Sequence, residues 1–573
     1  MVKDLNKDLN SCASWIAKFL VRRKVDLVFG LQGGHIQPIW DFCYKYNIKI
    51  IDVRDEKAAI HMAQAYSFFT GKIGVAMVTA GPGVTNTVTG IANAFLSKTP
   101  ILLIGGCTPV PQSNMGPLQD IPHVEILKPI TNYARTARVP EQVIRELDLA
   151  YSYAIGHMGS TGPSYIEVPT DILRKNVKEK MVLKEWMDEK SKYNLHPNPN
   201  DIKTAVENIQ RAKRPVLIAG RGARKFEKEV IAFLNKTKVL YLDTQDSRGL
   251  VPLSHNSNVY AARSKTMAEV DLVILLGRKL DYQLAFGSPA IFKKAKFIRI
   301  SDIADELLDN RRGNPEILAS PGLVLEDITR KIGRLKSDEK WKKNIINLHK
   351  SKVKAIQSRK IKELGEDKKI NPNLIFNALQ KCLNEKEYVG IADGGDILSF
   401  SRIGLRSKYY LDSGVFGCLG VGVPYSIAAS EVFKNKKIVC VTGDGSFGFN
   451  AMELDTAVRN NSNICIIISN NAAWSIETHD QKLNYGNRVY GTKLKHSNYA
   501  TLAKGMGAFG IRIENPKKLY GAIKKALENT PSVVDVITSS LVLSSDAKKG
   551  LGFVSKYQAL DEWNEKEIYY RKR

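Results

Sequence analysis

The sequence has no apolar run long enough to cross a membrane, since a spanning helix needs about 20 consecutive apolar residues. Its first residues, MVKDLNKDLNSCASW, lack the apolar region of a secretion signal. Cysteine is scarce too: the seven cysteines are scattered, odd in number and without a C-x-x-C pair, which argues against a disulfide framework or a zinc site. We therefore expect a cytoplasmic protein with no membrane partner.

Zinc-finger, RNA-binding and basic-zipper patterns are also lacking, although the formal net charge is +27 and the pI is near 9.5. Such a charge by itself suggests a nucleic acid partner. The lysines, however, are spread along the chain among acidic residues, so we expect no nucleic acid binding. We interpret the charge as a Lys-rich surface, part of which can steer a polyanionic small substrate. A regulatory or nucleic-acid-binding protein is the alternative from another class.

The chain of 573 residues, 43% of them hydrophobic, is long enough for several domains with cores of their own. Buried strands such as LVFGL, RPVLIAG and KKIVCVTG alternate with helical patterns in three successive blocks. The sequence therefore predicts the α/β class, with three doubly wound parallel-sheet domains. We place them at residues 1–180, 195–355 and 365–545, with a separate tail at 546–573.

The most informative stretch is VTGDGSFGFNAMELDTAVRNNSNICIIISNN, which predicts a strand, a helix and a second, parallel strand. Asp444 and Asn471 then follow the two strands at the edge where open parallel sheets bind ligands. A carboxylate and a carboxamide oxygen suit Mg2+, which keeps few protein ligands and is completed by phosphate oxygens. Gly445 is expected to let one backbone approach another. The stretch predicts a binding site for a metal and a diphosphate; the alternative is an ordinary βαβ unit with turn residues.

This stretch resembles the GDG…NN signature of thiamin-diphosphate enzymes, and the order of the blocks resembles their pyrimidine-binding, middle and diphosphate-binding domains. The resemblance implies thiamin diphosphate and Mg2+ as cofactors, with Asp444, Asn471 and the backbone oxygen of Ala473 as metal ligands. It also implies a homodimer or homotetramer, in which the first domain of one chain and the third domain of its partner form each active site. In relatives the middle domain can hold an ADP group, and the turn GRGAR at 220–224 is compatible with ADP; a flavin is the alternative occupant of this domain.

Thiamin chemistry needs a carboxylate that faces the aminopyrimidine ring of the cofactor. Glu56, between a strand and a helix, resembles that catalytic glutamate; the alternative is an acidic residue that favours a helix N-terminus. The segment TAGPGVTN resembles the pocket that packs against the pyrimidine, and Leu419 resembles the apolar prop that bends the cofactor. The residues that the resemblance assigns to cofactor binding are Gly81, Pro82, Gly83, Asn86, Asp396, Gly417, Leu419, Gly445, Ser446 and Trp474.

Three further residues are candidates for catalysis on the substrate. His35 in GGHI and Gln119 in GPLQD resemble the His and Gln that reach the reacting carbon in benzaldehyde lyase and the 2-hydroxyacyl-CoA lyases, and a His exchanges protons near neutral pH. Glu477 is expected to be a buried carboxylate that shuttles a proton, with a solvated helix glutamate as the alternative. A lone His is more often structural, and His123 is assigned that role.

Together these residues predict a thiamin-diphosphate- and Mg2+-dependent carbon–carbon lyase similar to the 2-hydroxyacyl-CoA lyases and oxalyl-CoA decarboxylases. The expected reaction cleaves a 2-hydroxyacyl-CoA to formyl-CoA and an aldehyde or ketone, or runs in reverse. The alternative is a carboligase or decarboxylase that acts on free 2-oxo acids or aldehydes, as acetolactate synthase and benzaldehyde lyase do. The tail resembles the C-terminal lid of the lyases, with Tyr557 and Trp563 as apolar cover; the alternatives are a surface helix and an oligomer contact.

Overall fold

The computed structural model describes residues 9–188, 194–358, 361–548, 565 and 568–569. The described chain forms three sheets of six, five and six strands, and every strand pair is parallel. This confirms the α/β class and the three parallel-sheet domains. The expected lid residues Tyr557 and Trp563 lie outside the described residues. Among the described helices, none is both long and apolar enough to span a bilayer.

The first domain contains a six-stranded sheet whose two faces are covered by separate apolar cores. Its strands are Leu27–Leu31 (β1), Lys49–Asp52 (β2), Gly74–Val78 (β3), Ile101–Cys107 (β4), Tyr133–Thr136 (β5) and Pro163–Pro169 (β6). Its helices are Cys12–Arg22 (α1), Gln37–Lys45 (α2), Glu56–Thr70 (α3), Pro82–Thr85 (α4), Val88–Leu96 (α5), His123–Leu127 (α6), Val143–Ala154 (α7), Thr170–Leu173 (α8) and Lys184–Met187 (α9). The strand order is β2-β1-β3-β4-β6-β5.

The middle domain contains a five-stranded sheet. Its strands are Pro215–Ala219 (β7), Leu240–Leu242 (β8), Leu272–Leu276 (β9), Lys296–Ser301 (β10) and Glu316–Leu318 (β11). Its helices are Pro199–Arg211 (α10), Glu227–Thr237 (α11), Arg263–Glu269 (α12), Pro321–Lys331 (α13) and the Lys-rich Glu339–Ser358 (α14). The strand order is β11-β10-β9-β7-β8.

The third domain repeats the topology of the first. Its strands are Tyr388–Ala392 (β12), Tyr409–Asp412 (β13), Lys437–Gly443 (β14), Ile464–Asn470 (β15), Phe509–Ile513 (β16) and Ser532–Ile537 (β17). Its helices are Asn373–Cys382 (α15), Asp396–Gly404 (α16), Gly422–Val432 (α17), Asp444–Phe449 (α18), Glu453–Arg459 (α19), Ser475–Asn484 (α20), Tyr499–Gly505 (α21), Leu519–Glu528 (α22) and Ser545–Lys548 (α23). The order β13-β12-β14-β15-β17-β16 places β14 beside β15, as predicted.

One local prediction in this domain is wrong. The segment after β14 is not one helix but two, α18 and α19, separated at Asn450. The side chain of Asn450 donates to the carbonyl of Gly420 at 2.6 Å, and its backbone (φ −135°) leaves the helical range. A tertiary contact therefore divides a segment whose apolar spacing favours a continuous helix.

Two features of this architecture position the site. In the first and third sheets the strand order reverses between two central strands, and a crevice at such a point is where open α/β sheets bind ligands. In addition, α3 of the first domain and α17 of the third share a single apolar core, with Ile60 and Ala63 on one side and Ile427 and Ala428 on the other. The two domains with candidate cofactor residues are therefore packed together within one chain.

Candidate functional site

Glu56 is the first residue of α3, directly after the N-cap Asp55. Its side chain is 5% exposed, and its Oε2 accepts a hydrogen bond from Asn86 Nδ2 at 2.9 Å. A Cβ on Gly83 would lie 3.6 Å from Glu56 Oε1, in ordinary contact, and within 2.8 Å of Thr79 Cγ2, so Gly83 packs beside both residues. The structure thus brings the candidate catalytic Glu56 together with Gly83 and Asn86, two of the residues that the resemblance assigned to the pyrimidine pocket.

His35 contacts Thr79, the residue that follows β3, and Thr79 in turn packs against Gly83. The His35 Nδ1 is 3.3 Å from Thr79 Oγ1, and a Cβ on Gly106 would come within 2.4 Å of the His35 Cβ. Burial lowers the pKa of His35 below its ordinary value, and a charge on His123 would lower it further. His35 is therefore neutral at neutral pH, the form that can accept a proton.

Gln119 packs against Gly81, in the same loop as Gly83. A Cβ on Gly81 would lie 2.7 Å from the Gln119 Cβ, and Gly81 adopts the left-handed φ of +61°. A side chain at this position would be strained as well as crowded. His35, Glu56, Gly81 and Gln119 are thus neighbours at the carboxyl edge of the first sheet.

Asp444 begins α18, directly after β14, and is 2% exposed. Its Oδ2 accepts from the Ala472 amide at 3.0 Å, and burial raises the pKa of the carboxyl to about 6. A buried carboxylate without a compensating charge is unfavourable in the folded protein. A bound cation would supply that compensation.

Asn471 follows β15 and directly precedes Ala472, whose amide donates to Asp444. The Asn471 Oδ1 accepts from the Ala473 amide at 3.1 Å and its Nδ2 donates to Ser475 Oγ at 2.7 Å, which fixes the carboxamide. Ala472 takes the left-handed φ of +55° and turns the chain sharply here. The available donors are a carboxylate, a carboxamide oxygen and backbone carbonyls, a set that fits Mg2+ whose remaining ligands are phosphate oxygens and water. The residues present therefore fit the metal and diphosphate that the resemblance implies.

Asp393, which the sequence reasoning missed, fixes the loop that carries Gly417 and Leu419. It follows β12, is 1% exposed, and accepts from the amides of Gly420 at 3.2 Å and Gly422 at 3.0 Å. Burial raises the pKa of this carboxyl to about 6. Its signal was present in the segment ADGGD, where an acid follows a buried strand just as Asp444 does.

The role predicted for Gly445 needs correction. A Cβ there would come within 2.6 Å of the indole ring of Trp474, so the glycine admits an aromatic side chain and not another backbone. The same ring lies 6.4 Å from that of Phe449, in an edge-to-face arrangement. Trp474 thus covers the turn after β14, and Ser446 lies buried in the next turn of chain.

Glu477 and Asp396 are two further candidate site residues of the third domain. Glu477 is exposed on α20, so the expectation of a buried carboxylate is wrong for the single chain, and its role in proton transfer stays a prediction. Asp396 begins α16 and accepts from the Ser544 amide at 3.3 Å. That contact places the last residues before the C-terminal tail beside a candidate cofactor residue.

Glu453 links the third domain to the first domain of the same chain, and the sequence reasoning missed it. It lies in α19 of the third domain, and its Oε1 accepts from the backbone amides of Arg54 at 2.9 Å and Asp55 at 3.0 Å, immediately before Glu56. Burial raises the pKa of Glu453 to about 7. Only tertiary structure reveals this contact, because about four hundred residues separate the partners.

We expect Glu453→Ala to be less stable than Glu453→Gln by about 1–3 kcal/mol, since a glutamine keeps an acceptor for the two amides and an alanine leaves them unpaired. Chemical denaturation of the two variants at one pH measures the difference. Equal stability would show that the amides find water when Glu453 is shortened, and that the side chain does not support the start of α3.

Three models of thiamine pyrophosphate enzymes match successive parts of the chain. The N-terminal TPP binding domain matches residues 10–126, the central domain matches residues 202–328, and the C-terminal TPP binding domain matches residues 399–536. The first and last of these segments contain, respectively, the residues around Glu56 and those around Asp444.

Proteins similar to this chain include an acetolactate synthase and two 2-hydroxyacyl-CoA lyases. The chain is 29% identical over 541 residues to the acetolactate synthase large subunit IlvG of Mycobacterium tuberculosis, covering 92% of this chain and 95% of that protein. It is 28% identical over 555 residues to the 2-hydroxyacyl-CoA lyase 1 of Homo sapiens, covering 92% and 94%. It is also 28% identical over 578 residues to the 2-hydroxyacyl-CoA lyase 2 of Danio rerio, covering 93% and 92%.

Proposed function

Because the chain belongs to the thiamine pyrophosphate enzyme family, we propose that it is a Mg2+-dependent carbon–carbon lyase that cleaves or forms a 2-hydroxyacyl-CoA, with formyl-CoA and an aldehyde or ketone as the other partners. One observation carries the substrate assignment: His35 contacts Thr79 and Gln119 packs against Gly81, so both residues lie beside the loop that packs against Glu56. Human and zebrafish relatives with the lyase name support it.

The chain's own residues have separate tasks in this proposal. Thiamin diphosphate, when bound, supplies a carbanion at its thiazolium ring and an electron sink. Glu56 faces the pyrimidine ring beside Gly83 and exchanges a proton with that ring. Neutral His35 takes up the proton of the substrate hydroxyl, and Gln119 orients that hydroxyl. Glu477 is proposed to exchange protons at the outer side of the site.

The diphosphate end is proposed to bind the third domain. Asp444, Asn471 and the Ala473 carbonyl hold Mg2+, and Asp396, Gly445 and Ser446 contact the diphosphate. The chain is proposed to act as a homodimer or homotetramer, with each site formed by the first domain of one chain and the third domain of its partner. Light scattering on the purified protein tests the assembly.

The second candidate is an acetolactate-synthase-like carboligase, which the 29% identity to IlvG favours. Two features of this chain weigh against it. The segment MGPLQDIPHVEI differs from the loop of that family, and Trp474, which packs against Gly445, does not stand at the position of its substrate-gating tryptophan.

One experiment separates the two candidates. Purified protein with thiamin diphosphate and Mg2+ is incubated with a panel of 2-hydroxyacyl-CoAs and, separately, with pyruvate, and products are identified by mass spectrometry. Formyl-CoA with an aldehyde or ketone from the first panel is the expected result. Acetolactate from pyruvate, without formyl-CoA, would favour the carboligase and overturn the lyase.

The central domain is proposed to bind an ADP group. Arg221, Arg224 and Arg278 follow β7 and β9, at the carboxyl edge of the middle sheet. The guanidinium of Arg224 lies 3.6 Å from the centre of the Phe68 ring, and burial lowers its pKa to about 10, so a bound anion would be favourable beside it. Calorimetric titration with ADP and with a flavin nucleotide tests this, since binding of the flavin alone would contradict it.

The tail is proposed to act as a lid over the acyl-CoA, with Tyr557 and Trp563 as its apolar cover. Removing residues 549–573 keeps the buried Ala547 in place, so folding and cofactor binding should persist. We expect turnover of an acyl-CoA to fall sharply, because water then enters the site, while turnover of a small substrate without CoA changes little. Kinetics and light scattering on the truncated protein check this. Full acyl-CoA activity would end the lid hypothesis, and an altered mass in solution would favour an oligomer contact.

A further inference from the structure

His123 is buried against the loop that carries Gly81. It begins α6, is 2% exposed, and its Nε2 lies 2.8 Å from the backbone nitrogen of Gly81. Its Nδ1 lies 2.8 Å from Glu167 Oε2. A backbone N–H can only donate, so Nε2 is the acceptor and Nδ1 carries the hydrogen that is donated to Glu167. One tautomer of the ring therefore joins the carboxylate to the loop.

Glu167 is in turn held from three directions. It lies in β6 and is 6% exposed. Besides the His123 ring, its Oε2 accepts from the Tyr165 hydroxyl at 2.7 Å, and its Oε1 accepts from Thr136 Oγ1 at 2.6 Å. These donors fix the orientation of the carboxylate, which in turn selects the tautomer of His123.

The loop that receives this bond is the one that shapes the pocket of Glu56. Gly81 is buried and has the left-handed φ of +61°, and two residues further on Gly83 faces the Glu56 carboxylate. Gln119 packs directly against Gly81. A shift of the Gly81 amide would therefore change the shape of the pocket on the side of Glu56 and of Gln119 together.

We propose that His123 and Glu167 form a positioning pair that fixes the Gly81 to Gly83 loop for the pyrimidine ring of thiamin diphosphate. His123 acts through the Gly81 amide and does not touch the cofactor. The proposal deepens the proposed function and rests on its thiamin diphosphate site alone, not on the acyl-CoA substrate. It also extends the structural role that the sequence assigned to His123.

Two variants of the full-length protein form a matched pair. A glutamine at position 123 reaches as far as Nε2 and can accept from the Gly81 amide, whereas an asparagine reaches only as far as Nδ1. We expect His123→Asn to weaken thiamin diphosphate binding in the presence of MgCl2 by about tenfold, the size expected when one buried donor loses its partner. We expect His123→Gln to bind like the wild type.

Two measurements give the outcome. Calorimetry gives the cofactor affinity, and hydrogen exchange of the cofactor-free protein reports on residues 81–86, where His123→Asn should exchange faster and His123→Gln should not. Arg23→Met is the control, since it breaks a buried ion pair with Asp148 in the same domain. It should lower the melting temperature without changing cofactor affinity.

Equal cofactor affinity in the two His123 variants and the wild type would overturn the proposal. So would an equal loss of affinity in Arg23→Met, which would make the effect one of general destabilisation. If His123→Asn does not fold, Thr136→Val removes a single hydrogen bond to Glu167 and should produce a smaller change of the same sign. If cofactor affinity and hydrogen exchange are both unchanged in Thr136→Val, the proposed positioning pair is overturned. A wild-type protein that binds no thiamin diphosphate would contradict the cofactor site itself. The test does not depend on which substrate the protein turns over.

Discussion

Asp444→Asn is expected to abolish Mg2+-dependent binding of thiamin diphosphate while it stabilises the cofactor-free protein. The amide cannot offer the charge that holds the cation. At the same time it removes a carboxylate that is costly to bury. The pKa of Asp444 is raised from 3.8 to about 6, and at about 1.4 kcal/mol per unit this corresponds to roughly 3 kcal/mol.

The raised pKa of Asp444 determines how the stability of the cofactor-free protein depends on pH. A carboxyl whose pKa is higher in the folded state binds its proton more tightly there, so stability falls as the pH rises from about 4 to about 6. We expect this fall to be shallower in Asp444→Asn. Asp393 and Glu453 have raised pKa values too, so only the difference between variant and wild type reports on Asp444.

Calorimetry with thiamin diphosphate and MgCl2, together with chemical denaturation of the cofactor-free protein between pH 4 and 8, measures both effects. Asp41→Asn, an exposed position on α2, is the matched control and should change neither. Wild-type cofactor affinity in Asp444→Asn would remove this residue from the metal site.

Glu56→Gln is expected to lose turnover by a factor of about 10²–10⁴, the range that a positioned acid or base contributes. The glutamine keeps an oxygen for Asn86 Nδ2, so the loop around it should stay in place. Cofactor binding should persist as well, because the diphosphate residues lie in the third domain. The loss should therefore appear in the proton transfer and not in the affinity.

Deuterium exchange at C2 of bound thiamin diphosphate, followed by NMR, reports on that proton transfer directly and does not depend on which substrate is used. It should slow in Glu56→Gln and stay at the wild-type rate in Glu141→Gln, an exposed glutamate of the same domain. Exchange at the wild-type rate in Glu56→Gln would show that this carboxylate is not the group that exchanges a proton with the pyrimidine ring.

The amino-acid sequence by itself determined the repeated β–α–β pattern and the place of the chemistry along it. The β-branched run before Asp444 and the one that ends at Asn470 form neighbouring parallel strands, as their composition predicts. The glycines and polar residues that follow such strands stand at the sheet edge for the same local reason. Strand periodicity acts over a few residues, so these features can be recognised without any knowledge of distant contacts.

Only the tertiary structure decided how the parts of the site support one another. Trp474 and not a backbone segment fills the space at Gly445, Asn450 divides one expected helix into two, and Glu477 is exposed. Glu453 holds the start of α3 from the third domain, and His123 holds the Gly81 loop. Each of these contacts joins residues that are distant in the sequence or depends on how a side chain packs. Hydrophobic spacing does not encode which distant polar groups will meet, because that choice is made only when the cores pack.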